Sequence, residues 1–404
     1  MYLLYIDPGT GSMLISVLLG AVATIYFFIR AFIIKLKGTF SSSKHKYAID
    51  NAYPYVIYEE DSRYWNLFKP VLDEFEKRQI PIVFFTPDEK DPVFSNAYSF
   101  VSPKVIGEGI RAYGNLRFVS ADFMLMTTPG LDIYQLKKSR NVKHYSFLHH
   151  AVTDATTYRL YGLDHFDSVL LNGNYQKYYL RRLEQIRGQK AKDLVTVGCS
   201  YLDVYASMVN DLEKEEQHPF TVLLSPSWGP SGLLSLYGEK LIGELAKTGW
   251  RIIVRPHPQS KISEKEMIDK LESKYTTNGN IIWDYERNNI YSLSKADIMI
   301  SDFSGIIFDY ILLFNRPVMY NNQKFDIRMY DAIQLDEELW EFKTLKKAGI
   351  EIKEEMFTNI KDFINGAIND GSRAALLDEI KREAWMYPGE AGRRIADYMV
   401  QKVN

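Results

Sequence analysis

Cysteine is almost missing from this chain of 404 residues. Cys199 stands alone, so an intrachain disulfide is impossible and a thiolate metal cluster is excluded. That usage suits a reducing compartment. The pattern Asp-x-Asp, which often holds a divalent ion, does not occur, and no metal is expected. Net charge is nearly absent too: 49 Lys and Arg oppose 51 Asp and Glu, for −2 overall. A balance that even gives no reason to expect nucleic acid as a partner. Repeats of fixed period and low-complexity tracts are likewise missing. What remains is ordinary globular composition, 46% hydrophobic and 25% charged, long enough for two or three domains.

One local absence is informative. Residues 9–29 carry no charge, and apolar character continues through Ala31-Phe32-Ile33-Ile34. A helix of that length crosses a hydrocarbon core of about 30 Å. Asp7 precedes the run, while Arg30, Lys35, Lys37, Lys44 and Lys46 follow it. That order is the reverse of a secretory signal, and the positive-inside rule puts the remainder of the chain in the cytoplasm. The expectation is a single-pass membrane anchor over residues 1–37, N-terminus outside, with a polar linker over 38–46.

Beyond the linker, short apolar runs alternate with helical patterns, which predicts α/β architecture with parallel sheets. Strands are expected at 55–58, 82–85, 122–126, 143–148, 168–171 and 194–196. The charged stretch 211–219 reads as a connector. A second series follows at 221–224, 250–254, 281–283, 297–300 and 317–320. Helical character runs from 374 to 400, interrupted near Tyr387-Pro388-Gly389. The economical organisation is two Rossmann-like lobes, 47–210 and 220–404, facing a cleft.

Two strand ends in the second lobe carry chemistry. The strand at 297–300 leads into Ser301-Asp302-Phe303-Ser304-Gly305 and then an apolar helix. The first N–H groups of a helix lack intrahelical partners, and its dipole favours an anion there. Ser301 and Ser304 add hydroxyls, and Gly305 allows close approach to the backbone. The strand at 250–254 delivers Arg255-Pro256-His257-Pro258. Its prolines keep the loop extended at the carboxyl end of the strand, where open α/β sheets bind ligands. Arg255 suits a pair of phosphate oxygens, and His257 suits a second phosphate or a leaving group. Together they predict a diphosphate cradle. Asp302 would be repelled by a diphosphate and is expected to meet a ligand hydroxyl, His257 or the loop backbone instead.

The pairing of Arg-Pro-His-Pro with Ser-Asp-Phe-Ser-Gly-Ile-Ile-Phe-Asp-Tyr, followed by Asn315-Arg316-Pro317-Val318-Met319-Tyr320, resembles the CDP-glycerol glycerophosphotransferase family. Leu223-Leu224-Ser225-Pro226-Ser227-Trp228 and Gly392-Arg393-Arg394-Ile395 are similar to further family segments. The resemblance implies a GT-B fold and a place in teichoic-acid-type polymer synthesis. It implies transfer of glycerol phosphate from CDP-glycerol to a hydroxyl of a lipid-linked or polymer acceptor at the membrane, with CMP released and no cofactor. Donor binding would fall to Arg255, His257, Ser301, Asp302, Ser304, Gly305 and Ser227.

The family carries a histidine at the end of the first-lobe strand 143–148. Here that place holds His149-His150-Ala151, two histidines with no glycine after them. An imidazole near neutral pKa can take a hydroxyl proton, and His149 is preferred with His150 in reserve. Cys199 is expected to be a small buried residue. Three other readings stay open: a ribitol-phosphate or sugar transferase of the same fold, an inert membrane-anchored binding module, and a nucleotide-sugar epimerase.

Overall fold

The computed structural model describes residues 22, 24–26, 28–30, 52–212, 218–323 and 326–404. Most of the expected anchor falls outside them, as do the whole linker 38–46 and most of the connector 211–219. Among the described residues, no helix is long and apolar enough to cross a membrane.

Hydrophobic alternation resolves into two all-parallel sheets. The first contains β1 (Tyr53–Tyr58), β2 (Ile82–Thr86), β3 (Val101–Val105), β4 (Ala121–Met126), β5 (Val142–Leu148), β6 (Ser168–Leu171) and β7 (Asp193–Thr196), in the order β3-β2-β1-β4-β5-β6-β7. The second contains β8 (Thr221–Leu224), β9 (Arg251–Val254), β10 (Ile281–Trp283), β11 (Ile298–Ser301), β12 (Val318–Tyr320) and β13 (Ile350–Glu351), in the order β10-β9-β8-β11-β12-β13. Central strands such as Ile298–Ser301 are buried throughout, as a parallel sheet covered on both faces requires.

In each sheet the order reverses once, between β1 and β4 and between β8 and β11. A crevice opens at such a switch point, at the carboxyl ends of the strands. The loops that leave β1, β4, β8 and β11 therefore form the walls of the candidate site.

Two strands were not legible in the sequence. β3 contains Pro103 and lies at the edge of its sheet, where a missing N–H costs no ladder bond. β13 is only two residues long.

The helices that matter below are α1 (Trp65–Lys77), α2 (Tyr175–Arg187), α3 (Ser200–Asp211), α4 (Leu233–Ala246), α5 (Ile306–Phe314), α6 (Trp340–Ala348) and α7 (Ala391–Val403). The expected second-lobe span 220–404 needs one correction. Ile395, Ala396, Tyr398 and Met399 of α7 pack into the first-lobe core with Phe68, Leu72 and Phe123. Gly392 makes this possible, since a Cβ there would lie 2.4 Å from the carbonyl oxygen of Pro70 in α1. Asp203 of α3 fixes the approach by accepting from Trp385 Nε1 at 2.9 Å, Gly389 N at 2.7 Å and Ala391 N at 3.1 Å. Cys199 is fully buried, and burial raises its thiol well above the ordinary value. It is a packing residue.

A second crossing joins the lobes. Leu160 N donates to Met329 O, Asp331 N to Tyr158 O and Ala332 N to Thr156 O. The buried Arg187 of α2 pairs with both Asp164 and Asp331, which ties the strap to the first lobe.

Candidate active site

The second-lobe wall is built around Asp302. Its carboxylate is buried, and Oδ1 accepts from Ser227 N at 2.9 Å and Ser304 N at 3.2 Å. Oδ2 accepts from Leu233 N at 2.9 Å, the first residue of α4. Burial raises its carboxyl against the lowering effect of these N–H groups. Of the partners expected for Asp302, the loop backbone is the one observed. It clamps three chain segments and does not line the cleft.

Ser301 departs from expectation. It is fully buried, and its Oγ donates to Ser225 O at 2.6 Å, stitching β11 to the loop after β8. A hydroxyl committed in that way cannot also donate to a phosphate. Arg255 is corrected as well. Its Nη1 is held by Asp284 and its Nη2 donates to Glu286 O at 2.5 Å, so the guanidinium secures the loop after β10.

His257 follows β9, and Ser304 and Gly305 follow β11, at the carboxyl ends of those strands. His257 Nδ1 accepts from Gln259 N at 3.1 Å, which assigns the ring hydrogen to Nε2. Burial first, then the charge of Arg63, lowers its pKa, so it is a neutral donor at neutral pH. Trp228, with an exposed ring 6.3 Å from that of His257, extends this wall. Ser227 is buried beneath it and offers its backbone to Asp302. Gly305 is exposed, and α5 begins there without a side-chain cap. An uncapped helix start is a ready anion site.

The first-lobe wall faces it closely. A Cβ placed on Gly305 would lie 3.7 Å from Thr153 Cγ2, so the two loops meet across the crevice. The loop after β5 is pinned from behind: Asn172 Nδ2 donates to Ala151 O at 2.6 Å, Gln176 Nε2 to Thr153 O at 2.9 Å, and Tyr175 to Val152 O.

The two histidines differ sharply. His149 is buried, and its Nδ1 accepts from Ala151 N at 3.2 Å. Its remaining hydrogen therefore sits on Nε2, which is buried without a partner. Burial, then the neighbouring His150, pushes its pKa down to about 3. His150 is half-buried, with Nδ1 2.7 Å from Thr127 Oγ1. Thr127 already donates its hydrogen to Leu148 O at 2.8 Å. His150 Nδ1 is then the donor, with Tyr158 Oη a longer second neighbour at 3.3 Å, which leaves a lone pair on Nε2. Burial is the main cause that brings this pKa down to about 4. The geometry reverses the expected preference: His150, not His149, can present a base.

Sequence reasoning passed over the loop after β1. Tyr64 lies against the His150 ring, with centroids 4.9 Å apart. Ser62 Oγ accepts from Arg287 Nη2 of the second lobe at 3.0 Å. Between them sits Arg63, exposed. The signal was available, since an arginine and an aromatic, Arg63 and Tyr64, stand in the loop that leaves the first strand of the lobe.

Behind the histidine loop, Asp154 N donates to Glu341 Oε2 of α6 at 3.1 Å, in a buried carboxyl pair. Burial raises both groups, and the Asp154 charge raises Glu341 further; Lys343 and Glu337 act more weakly on Asp154. A carboxyl raised in the folded state gives stability that is full at acid pH and lost as pH rises through its folded value. Glu341→Gln should therefore flatten the fall in melting temperature between about pH 5 and 9. Parallel melting curves for the two proteins would contradict that. His149 and His150, both lowered, act in the opposite sense below about pH 6.5 and are common to both.

Residues 223–335 match the family model described as CDP-glycerol:poly(glycerophosphate) glycerophosphotransferase. No curated protein matches the chain in sequence. Among solved structures, the wall teichoic acid polymerase TagF is similar at 13% identity, with a TM-score of 0.58, over 95% of this chain and 98% of that one. UDP-GlcNAc 2-epimerase from Neisseria meningitidis is similar at 12% identity, with a TM-score of 0.54, over 87% and 100%. At such identities the likeness establishes the fold, two facing lobes of the GT-B type.

Proposed function

We propose that this chain, whose residues 223–335 match the CDP-glycerol:poly(glycerophosphate) glycerophosphotransferase family model, transfers glycerol phosphate from CDP-glycerol to an acceptor hydroxyl in teichoic-acid-type polymer synthesis. The observation that carries this reading is the coincidence of the family match with the cradle of His257, Ser304 and Gly305, set opposite a histidine that offers a lone pair.

The donor diphosphate lies at the start of α5, where no side chain caps the helix and the helix dipole favours it. Ser304 Oγ and His257 Nε2–H add donors to the departing phosphate. The acceptor is a lipid-linked or polymer hydroxyl. His150 Nε2 takes its proton as the oxygen attacks the glycerol-bearing phosphorus. The new P–O bond forms as the bond to CMP breaks, and CMP leaves on the second-lobe side. Arg255, Ser301, Asp302 and Ser227 serve by fixing the loops that carry these groups. Residues 1–37 hold the enzyme at the cytoplasmic face of the membrane, where a lipid-linked acceptor would lie; their uncharged run of 21 residues supports this.

The full-length protein, in membranes or detergent, tests the reading when offered CDP-glycerol, CDP-ribitol and a UDP-sugar in parallel. CMP release from CDP-glycerol, retained in excess EDTA, is expected. UDP release instead, or complete loss in EDTA restored by magnesium, would refute the assigned donor chemistry.

A further inference from the structure

The donor cradle lacks the cation that its sequence appeared to supply. A transferred phosphoryl group spreads negative charge over its non-bridging oxygens, and a guanidinium is well suited to receive it. Arg255 is committed elsewhere: its guanidinium bonds Asp284 and Glu286 O, and its side chain is only 11% exposed. A more open cation is offered by another element.

The loop after β1 provides one. Asp61 caps the short turn Ser62–Tyr64 by accepting from Arg63 N at 2.9 Å, which fixes where the arginine leaves the backbone. Ser62, on one side, is bonded to Arg287 of the second lobe, and Tyr64, on the other, lies against His150. Arg63 is therefore flanked by one contact to each wall. Its side chain is 65% exposed, and its ion pair is Nε to Asp61 Oδ1 at 3.0 Å, which leaves the two Nη atoms open to a ligand. Its charge also disfavours protonation of both His150 and His257, which places it within electrostatic reach of a residue on each lobe. Arg287, the neighbouring cation, is turned towards Ser62 and the carboxylate of Asp88, which accepts from Ser62 Oγ at 2.9 Å.

We propose that Arg63 is a catalytic residue whose guanidinium binds the non-bridging oxygens of the glycerol-bearing phosphate, from the first-lobe wall between His150 and His257. This deepens the reaction assigned above and rests on it. As the acceptor oxygen bonds to phosphorus and CMP departs, the proton passes to His150 and the charge on the equatorial oxygens is met by Arg63. The loop after β1 thereby completes the site only when both lobes are in contact.

Three forms of the full-length protein test this: wild type, Arg63→Gln and Arg63→Lys. The readouts are kcat, the KM for CDP-glycerol, the KM for the acceptor, and CMP affinity by calorimetry. Arg63→Gln is expected to lower kcat about 100-fold or more. CMP affinity should stay within about 3-fold, because CMP lacks the phosphate in question. Arg63→Lys should recover part of the loss by restoring the charge without the planar fork. Melting temperature serves as the control for folding and should not move for so exposed a side chain. An unchanged kcat would overturn the proposal. So would a loss appearing only as a raised acceptor KM, which would assign Arg63 to an acceptor phosphate, or only as weakened CMP binding, which would assign it to the other donor phosphate. A wild-type protein inert towards CDP-glycerol would instead sink the reaction assignment, a result that differs from an active wild type with an active Arg63→Gln.

Discussion

Replacing His150 with glutamine should lower turnover by about 100- to 10,000-fold while CMP still binds, the range expected when a general base is lost. The expectation rests on hydrogen-bond direction. Thr127 Oγ1 gives its hydrogen to Leu148 O, so it can only accept from His150 Nδ1. The imidazole is thereby fixed in the tautomer with a free Nε2. Thr127→Val should then reproduce part of the defect, because the ring loses the bond that sets its tautomer. His149 makes the informative contrast. Its Nδ1 accepts from Ala151 N, and its other nitrogen is buried. His149→Gln should act mainly on folding, with a lower melting temperature and activity falling in proportion to the folded fraction. Initial rates under saturating CDP-glycerol, set beside thermal melts, separate the two. An inactive but fully stable His149→Gln protein alongside an active His150→Gln protein would return the base to His149.

The low pKa of His150 does not argue against that role. At neutral pH it guarantees a neutral, lone-pair-bearing ring in the absence of substrate. A bound dianionic diphosphate would oppose the effect of Arg63 and raise the proton affinity as the reaction begins. The basic limb of any pH profile is therefore expected to be flat through neutrality, with loss appearing on the acid side.

The sequence disclosed the strands of both sheets, the edge strands β3 and β13 excepted, because a parallel sheet buries its inner members on both faces, and runs such as Val222–Leu224 or Val169–Leu171 have no other use. It disclosed the strand-end motifs for the same reason: small, hydroxyl and proline residues interrupt those runs at their carboxyl ends. Strand order was not legible, and order decides which strand ends face the crevice. That is why the loop after β1 went unremarked, although β1 adjoins the switch point. Side-chain direction was not legible either. Arg255 and Ser301 stand in the right loops, yet one turns to Asp284 and the other to Ser225 O. A motif records which residues share a loop. It does not record which of them hold the loop and which face the ligand.

Asp302 shows how large that distinction becomes in energy. Asp302→Ala should destabilise the protein by about 3–5 kcal/mol, the cost of breaking a buried charge-assisted set and leaving its partners unpaired. Three backbone N–H groups, from Ser227, Leu233 and Ser304, would lose their acceptor at once. Because Leu233 opens α4, the change also removes the acceptor at that helix start. Asp302→Asn is the sharper probe. Its carboxamide oxygen can still accept from Ser227 and Ser304, but its NH₂ would then face the Leu233 N–H, donor against donor. An intermediate loss of about 1–3 kcal/mol is expected. Denaturant midpoints at constant m-value would report it. Activity should fall in both variants only as far as the loops lose their order, so added CMP should restore part of the stability by mass action. If Asp302→Asn melted like the wild type yet failed to turn over CDP-glycerol, the carboxylate would have to act on the substrate. In that case the clamp drawn here, with one aspartate holding the loop after β8, the start of α4 and the turn into α5, would be a resting arrangement that the donor displaces.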